Sequence, residues 1–281
     1  MSQTTTTVEW LNTPVAAVNT QTQQAAQTRQ TQLTKPLGSL GRLEEMAIQL
    51  AAMQDTARPS VDHVQITIFA GDHGIAEKGE VNPFPQEVTS QMVHNFSNGG
   101  AAINVFSKTN GVDLKVVDAG VNHSFDKDLN IIDAKIAFGT KNYQDEPAMS
   151  LKQYQEAITK AEHIVTDIHN QGCNTIGFGE MGISNTSSAA LLMSYFTKIP
   201  IEKCVGSGTG LNPEGISKKS QILSSVYNKY NPRTPQEALA TFGGFEIVML
   251  CGAILKATEL KMIVVIDGFI VTSALLAAYA I

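Results

Sequence analysis

Charge is scarce in this sequence: Asp, Glu, Lys and Arg together make up 16% of the 281 residues, and the formal net charge is -6. No basic run occurs anywhere, so the electrostatic footprint of a nucleic-acid binder is lacking. Cysteine is rare as well. Cys173, Cys204 and Cys251 are odd in number, lie in apolar surroundings and form no C-x-x-C pair, which reads as reduced core thiols of a cytoplasmic protein. His63, His94 and His123 are scattered without H-x-x-x-H spacing, so no metal site is expected. A G-x-S-x-G elbow and a Walker lysine are both missing, which removes the usual serine hydrolase and nucleoside triphosphatase readings. The opening Met1-Ser-Gln-Thr-Thr-Thr-Thr7 has neither a basic region nor an apolar core, so it is not a signal peptide. Only Met262 to Ile281 approaches the length of a membrane span. Asp267 and Gly268 interrupt it, and a strand, a turn and a helix explain it better than a bilayer does.

What is present fits a soluble globular chain: 43% of residues are hydrophobic, and the length suits one large or two modest domains. Residues 8 to 33 are rich in Gln, Thr and Ala, with Val8, Trp10, Leu11, Val15 and Val18 at roughly helical spacing, which predicts one or two peripheral helices. Next comes a helix capped by Ser39 with Leu40, Leu43, Ala47 and Leu50 on one face. The pattern then changes. Strands are predicted at 64–69, 114–118, 135–138, 175–179, 203–206 and 262–266, with helices at about 86–108, 150–170, 186–197, 214–229 and 235–258. Ser150-Leu-Lys-Gln153 and Thr234-Pro-Gln-Glu237 read as capping boxes. Six strands alternating with helices predict an α/β fold with a mostly parallel sheet covered on both faces.

Ligands of such sheets collect at the carboxyl ends of the strands, and there the unusual residues fall. Thr175-Ile-Gly-Phe-Gly-Glu-Met-Gly-Ile-Ser-Asn185 is a strand that breaks into a glycine-rich turn and starts a helix. Gly177, Gly179 and Gly182 permit close approach of the backbone to a ligand, and Ser184 or Asn185 can cap the helix. Glu180 sits where an anion would bind, so it must face another part of the ligand, such as a ribose hydroxyl or a positively charged ring. The glycines also satisfy G-x-G-x-x-G, with Glu202 about twenty residues on, the outline of a dinucleotide fingerprint. Gly206-Ser-Gly-Thr-Gly210 is a second anion nest or a plain turn, with Ser207 and Thr209 as donors, and Lys219 either reaches back to a phosphate or is an exposed helical lysine. Asp72 and His73 are metal ligands, an acid/base pair or, best, hydrogen-bonding residues that shape a loop beside a ligand. Residues 79–86 form a lid lined by Phe84, Met92 and Phe96, unless the last two belong to a core stripe. Gly243-Gly244 separates two helical stretches within 235–258, with Glu246 beginning the second, and a tight helix–helix contact explains those glycines as well as a ligand does.

Six separate motifs then agree with one family. Lys35-Pro-Leu-Gly-Ser-Leu-Gly-Arg-Leu-Glu44, Ala70-Gly-Asp-His-Gly74, Pro85-Gln-Glu-Val-Thr89, Gly99-Gly-Ala-Ala-Ile-Asn-Val105, Gly177-Phe-Gly-Glu-Met-Gly-Ile-Ser-Asn-Thr186 and Gly243-Gly-Phe-Glu246 resemble, in order, the nicotinate-nucleotide:dimethylbenzimidazole phosphoribosyltransferase family. The resemblance covers about residue 35 to residue 281. It implies a homodimer with a Rossmann-like large domain and a small helical domain from both chain ends, divided here into 1–33 and 34–281. The implied reaction moves phosphoribose from nicotinate mononucleotide to 5,6-dimethylbenzimidazole or a similar base, with no cofactor and no metal. Glu180 and Gly182 would contact the nucleotide, and Gly206, Gly208 and Lys219 would hold its phosphate. The stretch from Asp72 and His73 through Phe84 and Gln91 to Met92 would border the benzimidazole pocket. The family's catalytic base is a glutamate in an Arg-Leu-Gly-Glu-Gly segment beyond the point where this chain stops, and the apolar ending looks cut. The 281 residues are therefore expected to bind nucleotide and turn over poorly. The rival readings are a non-catalytic nucleotide-binding homologue and an NAD-dependent dehydrogenase; the second is weakened because the glycine fingerprint begins about 175 residues into the chain.

Overall fold

Val64–Gly71 (β1), Asp113–Gly120 (β2), Ile132–Asp133 (β3), Thr175–Met181 (β4) and Ile263–Val265 (β5) pair into a wholly parallel sheet of order β3-β2-β1-β4-β5. The structure is a computed structural model and describes residues 8–12 and 14–281. The reading of Met1 to Thr7 lies outside the described residues. The chain runs outward from β1 to β3 on one side, then returns to lay β4 on the other, so the direction of winding reverses between β1 and β4. Loops leaving those two strands diverge and open a crevice at their carboxyl ends.

The helices are Thr20–Gln32 (α1), Arg42–Gln54 (α2), Val88–Ser97 (α3), Ala102–Asn110 (α4), Leu151–Asn170 (α5), Asn185–Thr197 (α6), Ile201–Cys204 (α7), Pro213–Lys229 (α8), Pro235–Phe242 (α9), Phe245–Glu259 (α10) and Phe269–Ala280 (α11). Alternation along the strands fixes two cores. Phe69, Val117, Ile176 and Phe178 point to the side covered by α5 and the almost entirely buried α10, whereas Ala70 and Val116 meet Val93 of α3 on the other. All three cysteines are free and buried. Among the described residues no helix is long and apolar enough to cross a membrane, and Met262 to Ile281 forms a strand, a turn and α11.

Several sequence expectations give way to local chemistry. The sheet has five strands, not six, because residues 203–206 close the short helix α7 and leave it as a loop. The third strand lies at 132–133 rather than 135–138, where Lys135 turns in to pair with Asp118 at 2.7 Å. The segment 86–108 breaks into α3 and α4 at Gly99, whose φ of +76° is left-handed. Residues 14–18 are without helix and Asn19 caps α1, its Oδ1 accepting from the N–H groups of Gln21 and Thr22. Ser39 does not cap α2; the chain enters at Gly41, and Glu44 accepts from Leu40 N–H and Lys35 instead. Leu40 and Leu43 are exposed, while Ala51 and Ala52 are the buried residues of α2. α1 packs on α2. The Ser150–Gln153 capping box forms in full, whereas Glu237 bonds the N–H of Arg233 and leaves Thr234 to cap alone.

Candidate active site at the carboxyl edge of β1 and β4

β1 ends at Gly71 and leads into Asp72-His73, β4 ends at Glu180-Met181 and leads into Gly182, and α10 begins at Phe245-Glu246 beside both. His73 is fully buried, with Nε2 2.6 Å from Glu246 Oε1 and Nδ1 3.1 Å from Ser188 Oγ, which in turn lies 3.5 Å from the Tyr143 hydroxyl. Glycines make room for this pair. A Cβ on Gly244 would fall 2.3 Å from Glu246 Oε2, one on Gly71 2.8 Å from the same atom, and one on Gly182 2.4 Å from the Gly71 carbonyl oxygen. Burial is the largest single influence on His73 and lowers its pKa, but the adjacent Glu246 carboxylate, with Asp72 and Glu180, holds the imidazole above its usual range. Asp72 accepts from Asn122 N–H at 2.8 Å through Oδ2, while its buried Oδ1 has no partner; burial raises this carboxyl.

In front of the pair lies a cleft of about 180 Å³, lined among others by Glu180, Asn185, Thr186, Ser207, Thr209 and Lys219. Asn185 Nδ2 donates to Glu180 Oε2, and burial pushes the Glu180 carboxyl up to about 7. Lys219 reaches in from α8, buried to 1% exposure, and donates to Thr186 Oγ1 at 2.8 Å; burial draws its pKa down to about 8. Gly208, at a φ of +56°, brings the 206–210 turn against the same two groups. No side chain caps α6: Ser184 adopts a φ of +77° and its hydroxyl donates to Asn82, while the Asn185 and Ser187 N–H groups donate to the Gly182 and Ser184 carbonyl oxygens. An uncapped helix start beside a buried lysine suits an anion, and a carboxyl across the cleft suits a cationic centre. Two larger and mostly apolar grooves, of about 630 and 690 Å³, are lined by Trp10, Leu11, Pro14 and Val15 and by Val15 to Asn19, away from the carboxyl ends of β1 and β4.

The structure brings Glu180, Gly182, Gly208 and Lys219 together on the cleft. Asp72 and His73 are buried behind it. Gly206 is exposed on the adjoining turn, and the loop at 79–86 reaches the cleft through Val81, Asn82 and Pro83 rather than Phe84, which is 47% exposed. Gln91 is exposed and Met92 half-buried on α3, outside the cleft lining. Glu202 bonds Ser224 from α7, so the dinucleotide outline is not completed. Sequence reasoning did not single out Asn185 as the partner of Glu180, nor Thr186, Ser188, Tyr143 or Glu246 as members of the site. The signal for Glu246 was the Gly243-Gly244 pair, whose second glycine clears space for a carboxylate and an imidazole.

A family model described as phosphoribosyltransferase matches residues 15–281. The nicotinate-nucleotide--dimethylbenzimidazole phosphoribosyltransferase of Cupriavidus taiwanensis is 49% identical over 246 residues, 87% of this chain and 71% of that protein. Its counterpart in Aromatoleum aromaticum is 48% identical over 258 residues, covering 92% and 75% respectively. The crystal structure of CobT from Thermus thermophilus superposes with a TM-score of 0.88 at 36% identity, over 92% of this chain and 78% of that one. A sheet wound outward from β1 and β4, a lysine-bearing cleft at its carboxyl edge and identities near one half over most of both chains agree, and the chain belongs to the nicotinate-nucleotide--dimethylbenzimidazole phosphoribosyltransferase family.

Proposed function

We propose that the chain transfers phosphoribose from nicotinate mononucleotide to 5,6-dimethylbenzimidazole, giving α-ribazole 5'-phosphate and nicotinate, in the cytoplasm and as a homodimer. One observation carries this reading: the cleft has a buried Lys219–Thr186 contact at an uncapped helix start and the Glu180 carboxyl on its wall. The phosphate sits at the first, with Ser207, Gly208 and Thr209 around it. The sugar lies toward the second. The bond from the anomeric carbon to the pyridinium nitrogen breaks, and its electron pair leaves with the ring, which departs uncharged at that nitrogen. Positive charge gathers on the sugar, and ionised Glu180 stabilises it. A ring nitrogen of the benzimidazole attacks the anomeric carbon from the opposite face, and the proton on its second nitrogen passes to a base. The family resemblance assigns that base to a glutamate of an Arg-Leu-Gly-Glu-Gly segment. It also sets Phe84, Gln91 and Met92 near the benzimidazole, on the side where Asn82 and Pro83 meet the cleft.

The test is a chromatographic assay for α-ribazole 5'-phosphate with both substrates supplied, run beside a calorimetric titration with nicotinate mononucleotide. Product at an enzyme-like rate confirms the transfer and places the base among the chain's own glutamates, Glu180 and Glu87 being the first to replace. Nucleotide binding without product assigns the 281 residues the binding step alone. Neither binding nor product overturns the reading.

A further inference from the structure

Ser184 opens α6 at a φ of +77°, in the left-handed region. Among the described residues three other non-glycine residues share that region, Asp55, Lys198 and Lys261, and each follows the last turn of a helix, where such a backbone is usual. Ser184 stands at a helix start instead, where a serine stays left-handed only if its surroundings hold it. What holds it comes from the loop after β1. The Ser184 hydroxyl donates to Asn82 Oδ1 at 2.7 Å, and Asn82 Nδ2 donates to the Phe84 carbonyl oxygen at 2.6 Å, so both ends of the amide are used. Asn82 is 9% exposed and Ser184 7%, which shields the bond from water.

The loop is tied elsewhere as well. Gln86 Nε2 donates to the His73 carbonyl oxygen at 3.1 Å, Thr89 Oγ1 accepts from Ile183 N–H at 3.1 Å, and Glu80 pairs with Lys218 of α8 at 3.3 Å. Of these contacts, only Asn82–Ser184 joins two residues that both line the cleft. Ser184 is followed directly by Asn185 and Thr186, which hold Glu180 and Lys219. We infer, on the reading that places the transfer in this cleft, that Asn82 is a positioning residue that couples the two substrates. By holding Ser184 it links the loop at 80–84, on the benzimidazole side, to the helix start that takes the nucleotide's phosphate. A phosphate on the first turn of α6 fixes Ser184, Ser184 fixes Asn82, and Asn82 fixes the Phe84 carbonyl and the wall beside which the second ring lies. The acceptor therefore binds more tightly to the nucleotide complex than to the free chain, and by linkage it tightens nucleotide binding by the same factor.

The experiment is titration calorimetry of nicotinate mononucleotide binding to the full chain, with and without saturating 5,6-dimethylindole. This acceptor analogue has the fused rings but no ring nitrogen with a free lone pair, so no product forms. The proteins compared are the parent, Ser184→Gly, Asn82→Ala and the double variant. Glycine adopts the left-handed backbone freely, so Ser184→Gly removes the bond and not the turn. The analogue should tighten nucleotide binding about 10-fold in the parent and about 2-fold or less in each single variant. The double variant should lose no more than either single one, because the same bond is cut in all three. The gain is a ratio of two affinities within one protein, so a change in stability alone leaves it where it was. If circular dichroism shows that Asn82→Ala does not fold, Ser184→Gly decides. Hydrogen exchange on the parent needs no variant: nucleotide alone should slow exchange at 80–84, and no slowing overturns the inference. No gain in the parent, a gain kept in Ser184→Gly, or losses that add in the double variant also overturn it, while nucleotide binding leaves the reading of the cleft intact. No nucleotide binding by the parent overturns both.

Discussion

Lys219 Nζ lies 2.8 Å from Thr186 Oγ1, joining the second turn of α8 to the first turn of α6. The lysine is 1% exposed, so its charge is costly in the free protein and its pKa is drawn down to about 8. An arriving phosphate would supply the counter-charge that the fold leaves out.

Lys219→Met should therefore weaken nicotinate mononucleotide binding on the order of 10- to 100-fold at pH 7, the loss of one hydrogen bond to a charged group at about 1.5–3 kcal/mol. The parent's affinity should decline as pH rises through about 8, where the free lysine sheds its proton. The variant should show no such decline. Titration calorimetry between pH 6.5 and 9 measures both.

Glu180 carries a folded pKa raised from 4.5 to about 7. A raised value means that the native state holds the proton more tightly than the unfolded chain, so its stabilising contribution is complete below 4.5 and is lost as pH climbs through about 7. Glu180→Gln, which stays neutral, should flatten that fall and melt above the parent at pH 8 while losing transfer activity. Parent and variant melting equally at pH 8 would count against a buried ionising carboxyl.

Gly182→Ala tests the close approach of β1 and β4. The new methyl would lie 2.4 Å from the Gly71 carbonyl oxygen, a backbone atom that cannot swing aside. Destabilisation of about 1–3 kcal/mol is expected in urea melts, with nucleotide binding lost as Glu246 and Asn185 are forced apart. Gly206→Ala is the comparison, since a methyl there meets nothing within 4 Å and should leave stability nearly unchanged.

Ser150→Ala removes the cap of α5, where the hydroxyl accepts from Gln153 N–H at 3.2 Å. The cost should be about 1 kcal/mol. Because no residue of α5 lines the cleft, substrate affinity should not change, which separates loss of stability from loss of function.

The sequence by itself determined the parallel α/β class, the Ser150 capping box, the break at Gly243-Gly244 and the glycine-rich turn after β4. Periodicity and turn chemistry act over a few residues and can be read in order along the chain. Only the tertiary structure decided that Lys219 is buried and not exposed, that Ser184 bonds Asn82 instead of capping α6, and that Glu246 meets His73. The last pair is 173 residues apart, brought together because α10 crosses the sheet and starts where β1 ends. No local pattern encodes such a meeting. It follows from how helices pack on a twisted sheet, with glycines at 71, 182 and 244 opening the space that two charged side chains then share.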